Sequence, residues 1–378
     1  MNTLLRIAAC SVAGLLAACG GKKTGEEAGG AASSSPPPGR SVNVYNWPDY
    51  IAPGLLQQFE AETGIKVNYD SFDSLEMLET KMLTGNSGYD VVVPSGPFLQ
   101  RQVEAGVYLP LDRSLLPNYA NLDPEMMAML AENDPGNLHA VGYMWGTTGI
   151  GYDALKVKAL APDAPTDSWR LVFDPAVAKR LAACGIAFVD APSEILAVTL
   201  MSLGKDPYSS DPADLEAAEA ALVAIRPYVR YVNSVPIIED FASGGVCVVV
   251  SWSGDVLRAR QRSSEAGLDT EIRYVIPKEG TLTWGDAMAI PKDAPHPDEA
   301  HAFIDFMLRA DIGATNATSV RYATFNRAAL SLMDPDLTAD PAMYPAPEVR
   351  ARLRVTQARS LEDSRVENRI WTRFRTGQ

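Results

Sequence analysis

The chain has 378 residues, more than the roughly 250–300 at which a single hydrophobic core stops growing, so two lobes are expected. With 47% hydrophobic and 21% charged residues its composition is that of a chain that folds, and no apolar run reaches the roughly 20 residues needed to cross a bilayer as a helix. The formal charge of −14 argues against nucleic acid, whose phosphates would be repelled, and leaves a cationic ligand or plain solubility as its meaning.

The first residues read as a targeting segment. Arg6 supplies a positive start, Ile7 to Ala18 a short apolar stretch, and small residues close it. Leu16-Ala17-Ala18-Cys19 resembles the lipobox of bacterial lipoproteins, which implies cleavage after residue 18 and lipid on Cys19; an ordinary cleaved signal is the alternative. Two or more acyl chains there would hold the protein on a membrane. Residues 19–40, rich in Gly, Ala, Ser and Pro, then read as a flexible tether of roughly 25 Å root-mean-square span.

Beyond the tether the chain alternates strand and helix. "VNVYNW" reads as a strand and "PGLLQQFEAETG" as a helix closed by Gly64. "IKVNYDSF" is a second strand, and Asp73 with Glu76 forms a capping-box-like start for the next helix. "YDVVVPS", a β-branched run, is the signature of a parallel strand buried on both faces, followed by the short helix "FLQRQVEAG". A second α/β pattern begins near Gly146, with strands in "GIAFVD", "GVCVVVSW", "IRYVIPKEG" and "DAMAIP" and helices in "SEILAVTLMSLG", "DLEAAEAALVAIRP" and "DEAHAFIDFMLRA". Two α/β lobes with a cleft where strand ends meet is the expected fold.

The residues at those strand ends carry the functional signal. The first strand leads to Trp47, Asp49 and Tyr50, "VVVPS" to Ser95, and "AFVDAPSE" to Glu194. "SWSGD" contributes Trp252 and Asp255, and "TWGD" contributes Trp284 and Asp286. Three times a Trp precedes an Asp by two or three residues, each at an expected strand boundary. Singly, each Trp fits core packing and each Asp a cap or turn, and Asp255 in particular could cap the helix that follows it. Together they would suit alkylammonium groups: indole faces attract the cation, methylenes bury against the same rings, and carboxylates neutralise the ends.

These stretches resemble the extracytoplasmic polyamine-binding proteins of bacterial ABC importers, especially the putrescine-binding branch. The resemblance is carried by "YNWPDYIAPGLLQQFEAETGIKVNYDSFDSLEMLETKMLTGNSGYDVVVPS", "LPLDRSLLPNYANLDPEM", "YMWGTTGIGYD", "DAPSEILA", "GKDP", "SWSGDV", "YVIPKEG" and the tail "VRARLRV…RIWTRFRTG". It implies a two-lobed α/β periplasmic binding protein of type II, with discontinuous lobes joined by a two-strand hinge. Approximate bounds are 41–145 with 266–335 for one lobe and 146–265 with 336–378 for the other. It also implies a polyamine ligand, putrescine or spermidine, and an ABC permease with its ATPase as partners, with no cofactor. The implied ligand positions are Trp47, Asp49, Tyr50, Ser95, Glu194, Trp252, Asp255, Trp284, Asp286 and Tyr322. Asp255 would meet one terminal ammonium, Asp49 and Asp286 the other, with Glu194 between and the three Trp residues as a box. Cys184 and Cys247, which on their own read as a disulfide or as two buried thiols, correspond to the family's disulfide. Two departures stand out: Pro48 replaces the usual Ser or Thr, and Trp284 replaces the Phe common in the putrescine branch.

Rival readings are a carboxylate-dependent hydrolase such as a glycosidase, a binding protein for another cation, and a lipoprotein without a ligand. The sequence has no nucleophile elbow, Walker loop or HExxH, and its three histidines, His139, His296 and His301, form no motif for metal or catalysis.

Overall fold

The computed structural model describes residues 39–377; the expected signal segment, Cys10, Cys19 and the greater part of the expected tether lie outside them. Residues from Arg40 onward form one compact unit containing two hydrophobic cores. The first core gathers side chains from Val42 to Trp145 and from Trp284 to Met343, together with Leu257. The second gathers Ile150 to Ile272, Leu282, and Ile370 to Phe374.

The strands are β1 (Ser41–Asn46), β2 (Lys66–Ser71), β3 (Val91–Val92), β4 (Ala140–Asp153), β5 (Ile186–Phe188) and β6 (Val229–Val232). They continue with β7 (Val248–Trp252), β8 (Ile272–Val275), β9 (Thr281–Ala289), β10 (Ala323–Thr324) and β11 (Leu353–Val355). In the first lobe β2, β1 and β3 pair in parallel, as the buried β-branched run Val91-Val92-Val93 anticipates. In the second, β7, β5 and β6 pair in parallel, with helices packed on them.

Two long antiparallel strands join the halves. β4 pairs with β9 from Ala140 to Thr147, then leaves it and pairs with β7 and β8 from Thr148 to Asp153. All fourteen residues of β4 are buried, since each of its halves lies inside a different core. The sequence reading started a new lobe near Gly146 and did not anticipate this strand. Its glycines at 142, 146, 149 and 151 disguise it, because a strand rich in Gly lacks the usual β-branched signature. β11, from the C-terminal segment, adds a parallel pairing to β9 at Thr281–Thr283.

Several local expectations change. The return to the first core comes near residue 283 rather than 266, because β8 pairs with the second half of β4 and Ile272 packs in the second core. The first core also keeps Leu337, Ala342 and Met343, which lie beyond the expected bound at 335. The helix Leu75–Thr84 is capped by Ser74, whose side chain accepts from the Met77 N–H at 3.2 Å, and not by Asp73. Gly64 closes the preceding helix in the left-handed conformation, its N–H donating to the Glu60 carbonyl, as read from the sequence. Cys184 and Cys247 are joined as a disulfide with Cα atoms 5.5 Å apart, closing a separation of 63 residues on the second core.

Candidate functional site

The point where β4 changes partners organises the site. Gly146 of β4 lies opposite Trp284, Met144 opposite Asp286, and Thr148 opposite Trp252. Trp284 and Asp286 are two residues apart inside β9, not at its end as the sequence reading had it, so the pleat sends both to one face. A β-carbon at residue 146 would come within 2.8 Å of the Trp284 ring, so glycine there lets the indole lie against β4. Gly254 does the same for Tyr322, whose ring lies 2.5 Å from where its β-carbon would be.

On the second lobe, Trp252 ends β7 and is the N-cap residue of the helix Ser253–Glu265. Asp255 is therefore inside the first turn of that helix and does not cap it. Its carboxylate is 9% exposed and accepts from the Tyr322 hydroxyl at 2.9 Å, a bond between the two lobes. Glu194, in the first turn of the helix Pro192–Ser202, accepts from the Trp252 indole N–H at 3.0 Å and from the Thr148 hydroxyl. Both acids gain from the positive end of a helix dipole.

On the first lobe, Asp286 is 4% exposed and accepts from the Tyr50 hydroxyl at 2.5 Å, with Ser95 bridged to it across the sheet. The Tyr50 carbonyl in turn accepts from the Tyr143 hydroxyl, which fixes the loop after β1. The aromatic rings connect the acids. Tyr322 meets Trp284 at 5.4 Å and Tyr50 edge-on at 5.6 Å between centroids, so Asp255, Tyr322, Tyr50 and Asp286 form one continuous path across the lobes. Trp252 packs against both cores.

Two residues from the expected set stand apart. Trp47 follows β1 and tilts against Phe72 at 4.6 Å. Asp49, expected beside Asp286, has a side chain 75% exposed and pairs instead with Arg258 of the other lobe, at 3.2 Å. The residue follows Pro48 and adopts φ of +52°, a left-handed conformation that Asp tolerates. Arg258 was not read from the sequence, although its place three residues after Asp255 puts both on one helix face. Gly146, Thr148 and Tyr143 were missed for another reason: their role comes from what β4 faces.

The electrostatics are those of a site short of positive charge. Among the described residues no Lys or Arg forms a salt bridge with Glu194, Asp255 or Asp286; their partners are neutral hydroxyls and an indole. Burial pushes Asp286 up to about 7, opposed by the bond from Tyr50 and the nearby Ser95 hydroxyl and reinforced by the charge of Glu194. Burial likewise pushes Asp255 up to about 6, against the Tyr322 bond and the Arg258 charge, and raises Glu194. Acids held so far from water without a counter-charge mark a functional site. Among the described residues no three His, Cys, Asp or Glu side chains converge as metal coordination requires.

Known proteins with this architecture bind solutes. The model of the family "bacterial extracellular solute-binding protein" matches residues 54–345. The putrescine-binding periplasmic protein PotF of Escherichia coli is 45% identical over 90% of this chain and 92% of its own. The putrescine-binding periplasmic protein SpuD of Pseudomonas aeruginosa is 46% identical over 89% and 92%. The crystal structure of the spermidine/putrescine ABC transporter substrate-binding protein PotD from Streptococcus pneumoniae superposes with a TM-score of 0.77 at 30% identity, covering 89% of this chain and 99% of that one. The chain thus belongs to the bacterial extracellular solute-binding proteins, in the branch of the putrescine- and spermidine-binding periplasmic proteins.

Proposed function

We propose that this protein is the substrate-binding component of a polyamine ABC importer, taking up putrescine or spermidine between its lobes. The observation that carries this reading is the set of three enclosed carboxylates, buried Asp286 from one lobe and buried Asp255 with half-buried Glu194 from the other, with no basic partner among the described residues. Each ammonium of a linear diamine supplies the charge an acid lacks. Asp255 meets one end and Asp286 the other, with Glu194 along the chain. Trp252 and Trp284, with Trp47 at the mouth, present faces for the cations and apolar surface for the methylenes, each buried methylene contributing roughly 0.8 kcal/mol.

The protein is a binding component and not an enzyme, as its relatives are substrate-binding proteins. Like them it works in the periplasm, handing ligand to a permease driven by an ATPase. The finer arrangement we propose is a lipid anchor on Cys19, with residues 19–40 as the tether that lets the lobes clear the membrane; mass spectrometry of the purified chain tests it through the mass of the N-terminal peptide.

Isothermal titration with putrescine, spermidine, cadaverine, calcium and maltose tests the main reading. A polyamine should bind at micromolar or lower Kd, with no heat from calcium or maltose. Asp255→Ala should weaken binding by about 3–5 kcal/mol, since it leaves an ammonium buried without its partner. Binding of maltose or calcium in place of polyamines would end the proposal, and unchanged polyamine affinity in Asp255→Ala would end the assignment of that residue.

A further inference from the structure

Of the four acids read from the sequence as ligand contacts, Asp49 alone has a basic partner among the described residues. That partner, Arg258, is well enclosed, with 18% of its side chain exposed, and comes from the opposite lobe. It follows Asp255 by three residues on the helix Ser253–Glu265, so its guanidinium shares the helix face that carries one of the site's acids. Its charge reaches both the Asp255 carboxylate and the Tyr322 hydroxyl bonded to it. Arg258 therefore lies between an acid inside the site and an acid at its rim.

We propose that Arg258 is a specificity-determining residue that favours diamines over triamines by holding Asp49 in a cross-lobe ion pair. The proposal rests on the polyamine reading above. A diamine needs counter-charges at its two ends and finds them in Asp255 and Asp286, with Glu194 between them along its chain. The third ammonium of a triamine, longer by three methylenes, needs a further acid at the rim. Asp49 is that acid, but its charge is already matched, and the matching group is a cation that repels the incoming ammonium. Discrimination of this kind comes from a repulsive element against the wrong ligand as much as from attraction to the right one. Pro48 adds to it: without a backbone N–H or a hydroxyl, it gives the loop no donor to compete with Arg258 for the Asp49 carboxylate.

The test is the ratio of Kd values for putrescine and spermidine, measured by titration calorimetry on the full chain in detergent. Arg258→Gln should shift the ratio toward spermidine by about tenfold, because it frees Asp49 and removes the repelling charge. Arg258→Lys, which keeps the charge, should leave the ratio close to that of the parent. Asp49→Asn, an exposed substitution, should shift it the other way, leaving the guanidinium unmatched. A ratio within about threefold of the parent in Arg258→Gln, or a shift toward spermidine in Asp49→Asn, would overturn the proposal. Failure of the parent to bind either amine would overturn the polyamine reading together with it, which distinguishes the two failures.

Discussion

Replacing Asp286 by Asn should make the ligand-free protein more stable while crippling its binding. Burial raises this acid from 3.8 to about 7. A rise of about three pH units, at 1.36 kcal/mol each, means that ionised Asp286 costs the folded ligand-free protein about 4 kcal/mol. The sign follows from the raised value. Stability is fully present below about pH 4, falls as pH rises, and is lost once pH passes about 7. Asn cannot ionise, so the variant escapes this loss. The net gain should be near zero at pH 4 and about 4 kcal/mol at pH 8, read from urea unfolding of ligand-free protein at both pH values. Over the same substitution polyamine Kd should rise by about two to four orders of magnitude, because one ammonium loses its counter-charge in a buried site. A variant no more stable than the parent at pH 8, or one that keeps parental affinity, would refute the account of Asp286 as an acid strained until ligand arrives.

The same acids make binding depend on pH. Polyamine affinity should fall below about pH 7 and more steeply below about pH 6, as Asp286 and then Asp255 take up protons, and binding at pH 6.5 should release protons, seen as buffer-dependent heats. Gly146→Ala should drive a β-carbon into the Trp284 ring and weaken polyamine binding by about tenfold or more, measured by calorimetry. Replacing Cys184 and Cys247 by Ser should lower stability by about 4 kcal/mol in urea unfolding, with the loop of 63 residues in the chain-entropy relation, while leaving the ligand site intact.

Much of this protein could be read from its residues in order. Periodicity and capping glycines located seven of the longer helices, as at Gly64, because those signals act within a turn of the chain. The recurrence of Trp and Asp pointed to Trp252, Asp255, Trp284 and Asp286 as one constellation, and the motifs around them resemble those of the polyamine-binding branch. The pairing of Cys184 with Cys247 was open on spacing alone and came from that resemblance. Tertiary structure decided the rest. Only the fold brings Tyr50 to Asp286, 236 positions away, and Tyr322 to Asp255, 67 away. Only the fold reveals that β4 exchanges β9 for β7 and β8 after Thr147, and that Asp49 turns to Arg258 instead of joining Asp286. The physical reason is common to these cases. A side chain's propensity is set by its near neighbours along the chain, but the state of a carboxylate is set by what covers it and what charge faces it, and those groups arrive from the opposite lobe.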